Sequence, residues 1–186
     1  YIYVWRTRVV TGHVFIATSL DGFIARPDGD VQWLLERDDP GEDHGYQEFI
    51  AGIDLILMGR KSYEKALEFG PWPYDRPVLV LSTQLAGTPV PSALTGKVSF
   101  TCQRPAQLMV DLATQGVRHV YLDGGQVIQS FLREGLIADL VITIVPVLLG
   151  EGIRLFGETE ADIDLELVNS RSFPSGLVQA RYRVAR

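Results

Sequence analysis

The stretch "LILMGRKSYE" at residues 55–64 joins an apolar run to a polar segment through one glycine. The run 54–58 is typical of a strand buried on both faces of a parallel sheet. The segment 61–70 ends in glycine before a proline, which predicts a short helix. Gly59 between them lets a ligand approach the backbone closely. A helix that begins there offers free N–H groups and a positive dipole end to an anion.

The same alternation of strand and helix recurs through most of the chain. Strands are predicted at 12–19, 54–58, 76–82, 97–101, 118–125 (with its turn) and 138–150, and helices at 42–53, 61–70, 105–116 and 126–135. Residues 20–30 are predicted to form a long loop, and the tail predicts an antiparallel hairpin with strands at 164–173 and 177–185. The pattern predicts a three-layer α/β domain, whose mostly parallel sheet is flanked by helices and closed by a C-terminal antiparallel hairpin.

Composition limits the function classes. The 186 residues suit a single domain over 1–186, with 1–11 as an extension or tag remnant. A net charge of −6 without a basic block argues against a nucleic-acid binder. The apolar runs fall short of the roughly 20 residues that cross a bilayer, so no membrane segment is expected. A single cysteine, Cys102, gives no internal disulfide and favours a cytoplasmic protein.

The three histidines do not have the spacing of metal ligands. His13, His44 and His119 lie far apart in the sequence, and no CxxC pair accompanies them. No metal site is therefore expected.

Three further strand ends could meet a ligand. In "YLDGGQVI" at 121–128 two glycines separate a strand from a helix, a geometry that suits a pyrophosphate and also an ordinary tight turn. In "VLSTQ" at 80–84 two hydroxyls follow a buried strand and could hold a phosphate or begin a turn. In "IATSLDGFIA" at 16–25 a flat apolar ring could lie against the glycine loop. Because parallel strand ends share one edge, the set describes an extended anionic dinucleotide.

These segments, with "VLVLS" at 78–82 and "DLVITIVPVLLGEGIRLF" at 139–156, resemble the dihydrofolate reductase superfamily. The resemblance is to the bacterial branch related to the C-terminal reductase domain of riboflavin biosynthesis, and it covers residues 12 to 185. It implies a dihydrofolate reductase-like fold.

The resemblance also implies NADPH as cofactor. The positions that match the family's cofactor-binding residues are Ala17, Ile24, Gly59, Arg60, Lys61, Ser62, Ser82, Gly124 and Gly125. Ala17 and Ile24 match positions that flank the nicotinamide ring. The segment 59–62 matches the one that holds the 2′-phosphate and pyrophosphate, and Arg60 would select NADPH over NADH.

The resemblance places the family's acid at Asp43, on the first helix, with Thr143 as its hydrogen-bonding partner. Glu48, on the same helix, and water are the alternatives that the residues leave open. The implied reaction is hydride transfer to a C=N-type bond of a small pteridine- or pyrimidine-like heterocycle. The alternative is a dinucleotide-binding module or sensor of the same fold without turnover. A homodimer through strand 139–149 and the hairpin is a family expectation.

Overall fold

The computed structural model describes residues 9–185. Residues 1–8, which belong to the predicted N-terminal extension, lie outside this range. Within 9–185 an eight-stranded sheet and a small two-stranded ribbon are flanked by helices. In the same range no helix has the length and hydropathy that a bilayer crossing requires.

The element bounds agree with most of the predicted ones. Strands lie at Thr11–Ser19 (β1), Phe23–Ala25 (β2), Leu55–Gly59 (β3), Val78–Leu81 (β4), Val98–Thr101 (β5), His119–Asp123 (β6), Ile137–Val145 (β7), Ile153–Arg154 (β8), Leu165–Ser172 (β9) and Val178–Val184 (β10). Helices lie at Gln32–Leu35 (α1), Tyr46–Ala51 (α2), Arg60–Glu68 (α3), Pro105–Thr114 (α4) and Gly125–Arg133 (α5), with one 3₁₀ turn at Ser92–Leu94.

The sheet confirms the predicted architecture. Its strand order is β5-β4-β3-β6-β1-β7-β10-β9, and β2 pairs with β8 in the separate ribbon. The strands from β5 to β7 are parallel, whereas β10 runs antiparallel to both β7 and β9. The carboxyl ends of the parallel strands therefore share one edge of the sheet, where ligands bind in open α/β sheets.

Two apolar clusters cover the two faces of the sheet because side chains alternate along each strand. Leu57 of β3 packs into the cluster that contains α4 and α5, whereas its neighbours Ile56 and Met58 pack into the cluster on the side of α2 and α3. Phe131 of α5 is completely buried in the first cluster. Burial of this kind is worth about 25 cal/mol per Å² of apolar surface and fixes α5 against the sheet.

The structure differs from the sequence prediction around the first helices. Helix α2 begins at Tyr46 rather than at residue 42, because Gly45 has a left-handed backbone with φ 82° that ends the irregular segment before it. The predicted loop 20–30 contains β2, and the predicted strand 138–150 ends at Val145, before a proline that cannot donate to the sheet. The strand inside the predicted loop comes from the pairing of β2 with β8, whose partners lie far apart in sequence.

Replacement of Phe131 by alanine should lower the free energy of unfolding by about 3–5 kcal/mol, because the cavity lies in a fully buried part of the core. Urea denaturation followed by circular dichroism measures the change. Phe69→Ala is the matched control, since Phe69 is 52% exposed and its loss should cost far less. Equal losses for the two variants would contradict this account of the core.

Candidate functional site

The sheet opens between β1 and β6 at its carboxyl edge. The register of β1 with β6 runs from Thr11↔His119 to His13↔Tyr121, whereas its register with β7 continues to Ser19. The Tyr121 hydroxyl donates to the Phe15 carbonyl at 2.9 Å, which closes the bottom of the gap. The paired residues of β1 and β6 therefore end before the carboxyl edge, which is the kind of position where ligands bind in open α/β sheets. We call this opening the crevice.

The two glycine turns lie side by side at this edge. Strands β3 and β6 are neighbours, and Met58 is paired with Asp123, so the N-termini of α3 and α5 begin next to each other. Gly124 has φ 93°, and a Cβ there would lie only 2.7 Å from the Ser62 hydroxyl. The glycine is therefore favoured by its backbone conformation, and a side chain there would also displace the Ser62 hydroxyl.

The β2–β8 ribbon lies against the second glycine of this pair. A Cβ on Gly125 would meet the Arg154 carbonyl oxygen at 2.7 Å and Ile24 Cδ1 at 3.3 Å. Ile24 was expected in the cofactor site, and the structure does bring its side chain to the glycine pair. The Arg154 guanidinium stacks over the Phe23 ring at 4.8 Å, which holds the ribbon together.

The cationic side of the site is formed by the start of α3. Arg60 donates to Glu64 at 2.6 Å along the helix, and Lys61 is exposed. Ser82 follows directly on the Gly59↔Leu81 pair of β3 and β4, which puts it at the same edge. Its hydroxyl oxygen already accepts the N–H groups of residues 84 and 85, each at 3.2 Å, so it also stabilises its own turn.

Asp21 ties together the two loops beside the crevice. Its carboxylate accepts from the Ser19 hydroxyl at 2.6 Å and from the Leu149 and Gly150 N–H groups at 3.1 and 2.8 Å. The Ser19 hydroxyl, with those N–H groups, lowers the pKa of Asp21 to about 2 although burial opposes the shift. The loop after β1 is therefore held to the loop after β7.

The acid predicted on the first helix lies elsewhere. Asp43 is exposed in the segment before α2, and its carboxylate accepts the Gly45 N–H at 2.8 Å. Thr143, which is buried, accepts from the Gln179 amide at 2.9 Å instead of bonding to Asp43. Gln179 also donates to the His44 carbonyl at 3.0 Å. The predicted bond between Asp43 and Thr143 is thus wrong among the described residues, because helix α2 starts too late to carry this acid inward.

Asp123 is a further acid at this edge, which the sequence analysis did not single out. It ends β6 directly before the glycine pair, with its side chain mostly enclosed by the fold. Burial raises its pKa to about 6, although the Gly124 N–H lowers it. Burial, with a smaller contribution from the Asp123 charge, raises the pKa values of Tyr46, Tyr74 and Tyr121. The sequence does show an acidic residue at a strand end before two glycines. It does not show that this residue is buried, because the nearby Tyr46 and Tyr74 are distant in sequence.

Ala17 and Thr143 complete the opposite wall. They are paired across β1 and β7, and Gln179 of β10 is paired with Thr143. Asp123 and the two helix N-termini therefore lie on the β6 side of the opening, and the Thr143–Gln179 pair lies on the β7 side.

Comparison with known proteins identifies close relatives. The family model of the RibD C-terminal domain matches residues 11–179. Two uncharacterized Bacillus subtilis (strain 168) proteins are similar: YwjB is 32% identical over 91% of this chain and 95% of its own, and YyaP is 32% identical over 90% and 91%.

Solved structures share the fold. A protein from Shewanella sp. PV-4, provisionally named a riboflavin biosynthesis protein, superposes with a TM-score of 0.89 at 38% identity, over 95% of this chain and all of that one. A diaminohydroxyphosphoribosylaminopyrimidine deaminase/5-amino-6-(5-phosphoribosylamino)uracil reductase from Thermotoga maritima superposes with a TM-score of 0.72 at 14% identity, over 95% of this chain and 57% of that one. At such low identity the likeness concerns the fold alone.

The burial of Asp123 predicts a pH-dependent stability. The folded-state pKa of Asp123, about 6, exceeds the ordinary 3.8. Its contribution to the free energy of unfolding is therefore full below pH 3.8 and is lost as the pH rises through 6. Asp123→Asn should therefore stabilise the chain at pH 7.5, by up to about 3 kcal/mol, and much less at pH 4. Urea denaturation across this pH range measures the difference.

Asp21→Asn is the control of opposite sign. The pKa of Asp21 is lowered to about 2, so its stabilisation is present above pH 3.8 and is lost as pH falls towards 2. The account fails if Asp123→Asn and the parent differ in free energy of unfolding by the same amount at every pH from 4 to 8. Asp123 would then be solvated like a surface acid.

Proposed function

The chain belongs to the RibD C-terminal domain family, and from this membership and the crevice we propose that it is an NADPH-dependent reductase of a small pteridine- or pyrimidine-like heterocycle, acting in the cytoplasm. The observation that carries the proposal is the meeting of two glycine turns and two helix N-termini beside the gap between β1 and β6. Such an arrangement suits a pyrophosphate with an aromatic ring extending from it.

The residues present fit this cofactor. Gly124 and Gly125 let the turn pack tightly against Ser62 and Arg154. This packing keeps the N-terminus of α5 beside that of α3, where the free N–H groups could receive a pyrophosphate. Ser62, whose hydroxyl lies against Gly124, could donate to the same group. Arg60 and Lys61 at the start of α3 would hold the 2′-phosphate, with Ser82 beside them.

The ring end of the cofactor would lie between the two walls of the crevice. Ala17 on β1 and Ile24 on β2 supply small and apolar surfaces for a nicotinamide. NADPH, when bound, supplies the hydride. The chain itself contributes position, since the two rings must be held face to face at contact distance, and Asp21 fixes the loops on either side.

Asp123 is the group best suited to hold the proton. A carboxyl with a pKa of about 6 is partly protonated near neutral pH and can give its proton to a nitrogen of the substrate. Asp43 and Glu48 are exposed, which leaves their carboxyls in water. The Thr143–Gln179 pair would then orient the polar edge of the heterocycle rather than an acid.

A binding module without turnover is the second candidate. It is favoured by one observation: the acid at the family-matching position, Asp43, is exposed and engaged with the Gly45 N–H. Such a protein would bind NADPH and reduce no heterocycle.

A homodimer is also proposed. All eight residues of the edge strand β9 are exposed, and Leu165, Leu167 and Val168 are apolar. Natural sheets normally cover or charge such an edge, and a second copy of the chain would cover it.

Arg60→Ala should weaken NADPH binding about 10- to 100-fold and leave NADH binding nearly unchanged, because the guanidinium would contact only the 2′-phosphate. Titration with each nucleotide, followed by nicotinamide fluorescence, measures both affinities. Lys65→Ala is the matched control, since Lys65 lies on the same helix and pairs with Glu68 at its far end. Equal weakening of NADPH and NADH would remove Arg60 from the 2′-phosphate site.

Asp123→Asn should lower the rate of hydride transfer about 10²- to 10⁴-fold while NADPH affinity stays within about twofold, since the carboxyl would act on the substrate. Stopped-flow oxidation of NADPH with dihydropterin and aminopyrimidine substrates provides the readout, and Asp123→Glu should restore part of the rate. Asp43→Asn is the comparison.

If Asp43→Asn loses the rate and Asp123→Asn keeps it, the proton donor is Asp43, as the resemblance implied. If the parent chain binds NADPH and oxidises it with none of these substrates, the binding module is the correct reading. If the parent chain does not bind NADPH at high micromolar concentration, both candidate functions fail.

A further inference from the structure

A cluster of polar side chains lies at the amino edge of the sheet, opposite the crevice. It contains Thr11 and His13 at the start of β1, His119 at the start of β6 and Asp139 near the start of β7. Thr11 is paired with His119 across the two strands, so the two imidazoles project from neighbouring strands. The cluster is separate from every residue assigned above to the reductase site.

Three donor atoms converge in this cluster. His13 Nε2 lies 3.0 Å from His119 Nδ1. Thr11 Oγ1 lies 2.9 Å from His13 Nε2 and 3.2 Å from His119 Nδ1. The three atoms form a nearly equilateral triangle, and His119 is exposed, so the triangle can be reached from solvent.

The surroundings fix one imidazole in the tautomer that a metal needs. His13 Nδ1 lies 3.2 Å from an Asp139 carboxylate oxygen, which can only accept, so Nδ1 carries the hydrogen and Nε2 of the neutral ring keeps its lone pair. Arg181 donates to the other Asp139 oxygen at 3.2 Å. A histidine oriented by a carboxylate in this way is the usual arrangement around protein-bound transition metals.

The second histidine, His119, is anchored through its backbone N–H. Asp54 accepts the N–H groups of Arg118 and His119 at 2.8 and 2.9 Å, which anchors the start of β6. The backbone positions of the two histidines are therefore set by the sheet, rather than by flexible loops.

We propose that His13 Nε2 and His119 Nδ1 bind one divalent transition-metal ion, with the Thr11 hydroxyl and water completing its coordination. Cu²⁺ and Ni²⁺ fit better than Zn²⁺. Ligands about 2.05 Å from a metal in a square arrangement are about 2.9 Å apart, close to the observed spacing, whereas a tetrahedral ion requires about 3.3 Å. Imidazole is a poor ligand for Mg²⁺ and Ca²⁺, so neither should bind.

The site is a two-histidine site. Among the described residues no group of three or more His, Cys, Asp or Glu side chains is arranged to hold a metal. We therefore expect exchangeable binding in the micromolar range, and the order of affinity should be Cu²⁺ above Ni²⁺ above Zn²⁺.

Isothermal titration of the untagged chain with Ni²⁺, and with glycine-buffered Cu²⁺, tests the proposal. The Cys102→Ser background removes the exposed thiol as a competing ligand. His119→Gln should weaken binding at least about tenfold, and it leaves an exposed position, so the variant should fold. Asp139→Asn should weaken binding about tenfold through His13. His44→Gln is the matched control, because His44 is the remaining histidine of the chain and contacts Glu42 instead.

Binding of one equivalent that is lost in His119→Gln and kept in His44→Gln, together with copper–nitrogen coupling from imidazole in the electron paramagnetic resonance spectrum, supports the site. Three results would overturn it: no binding of Ni²⁺ or Cu²⁺ at about 1 mM, equal affinity in His119→Gln and the parent, or equal loss in His44→Gln. NADPH affinity is measured on the same variants and should not change, so failure here is distinguishable from failure of the reductase proposal.

Discussion

The parallel pairing of β3 with β6 is the constraint on which the candidate site depends. It sets two helix N-termini next to each other, and each begins directly after a strand. Helix N-termini leave N–H groups without partners inside the helix, so two of them at one place form a site that favours an anion. Gly124 and Gly125 allow this close packing, because a Cβ at either position would collide with neighbouring protein atoms.

This arrangement explains how an acidic protein could bind an anionic ligand. The net charge of −6 is unfavourable at long range, but salt screens charges over about 10 Å, and backbone dipoles at the helix ends act at contact distance. Asp123, at the end of the same β6 strand, is kept from solvation by the surrounding fold. A group buried beside polarised N–H groups and aromatic rings has its proton affinity set by its environment, which the reductase proposal uses.

The two edges of the sheet carry different chemistry for a simple reason. Strand ends at the carboxyl edge lead into helix N-termini, which favour anions, whereas α4 and α5 end on the amino side, before β6 and β7, and helix C-termini favour cations. There His13 and Asp139 meet across β1 and β7 at 3.2 Å. Imidazole lone pairs held by a sheet favour a cation, so the two edges could bind ligands of opposite charge.

By itself the sequence determined the local structure: the order of strands and helices, the closing hairpin, and the glycine turns at 59 and 124. These depend on apolar alternation and on glycine's backbone freedom, which act over a few residues. Only the tertiary structure decided which side chains share a site. The late start of α2 put Asp43 in solvent, the packing around β6 buried Asp123, and the β1–β6 register joined His13 to His119. Strand register and burial depend on partners distant in sequence, and for that reason no local pattern contains them.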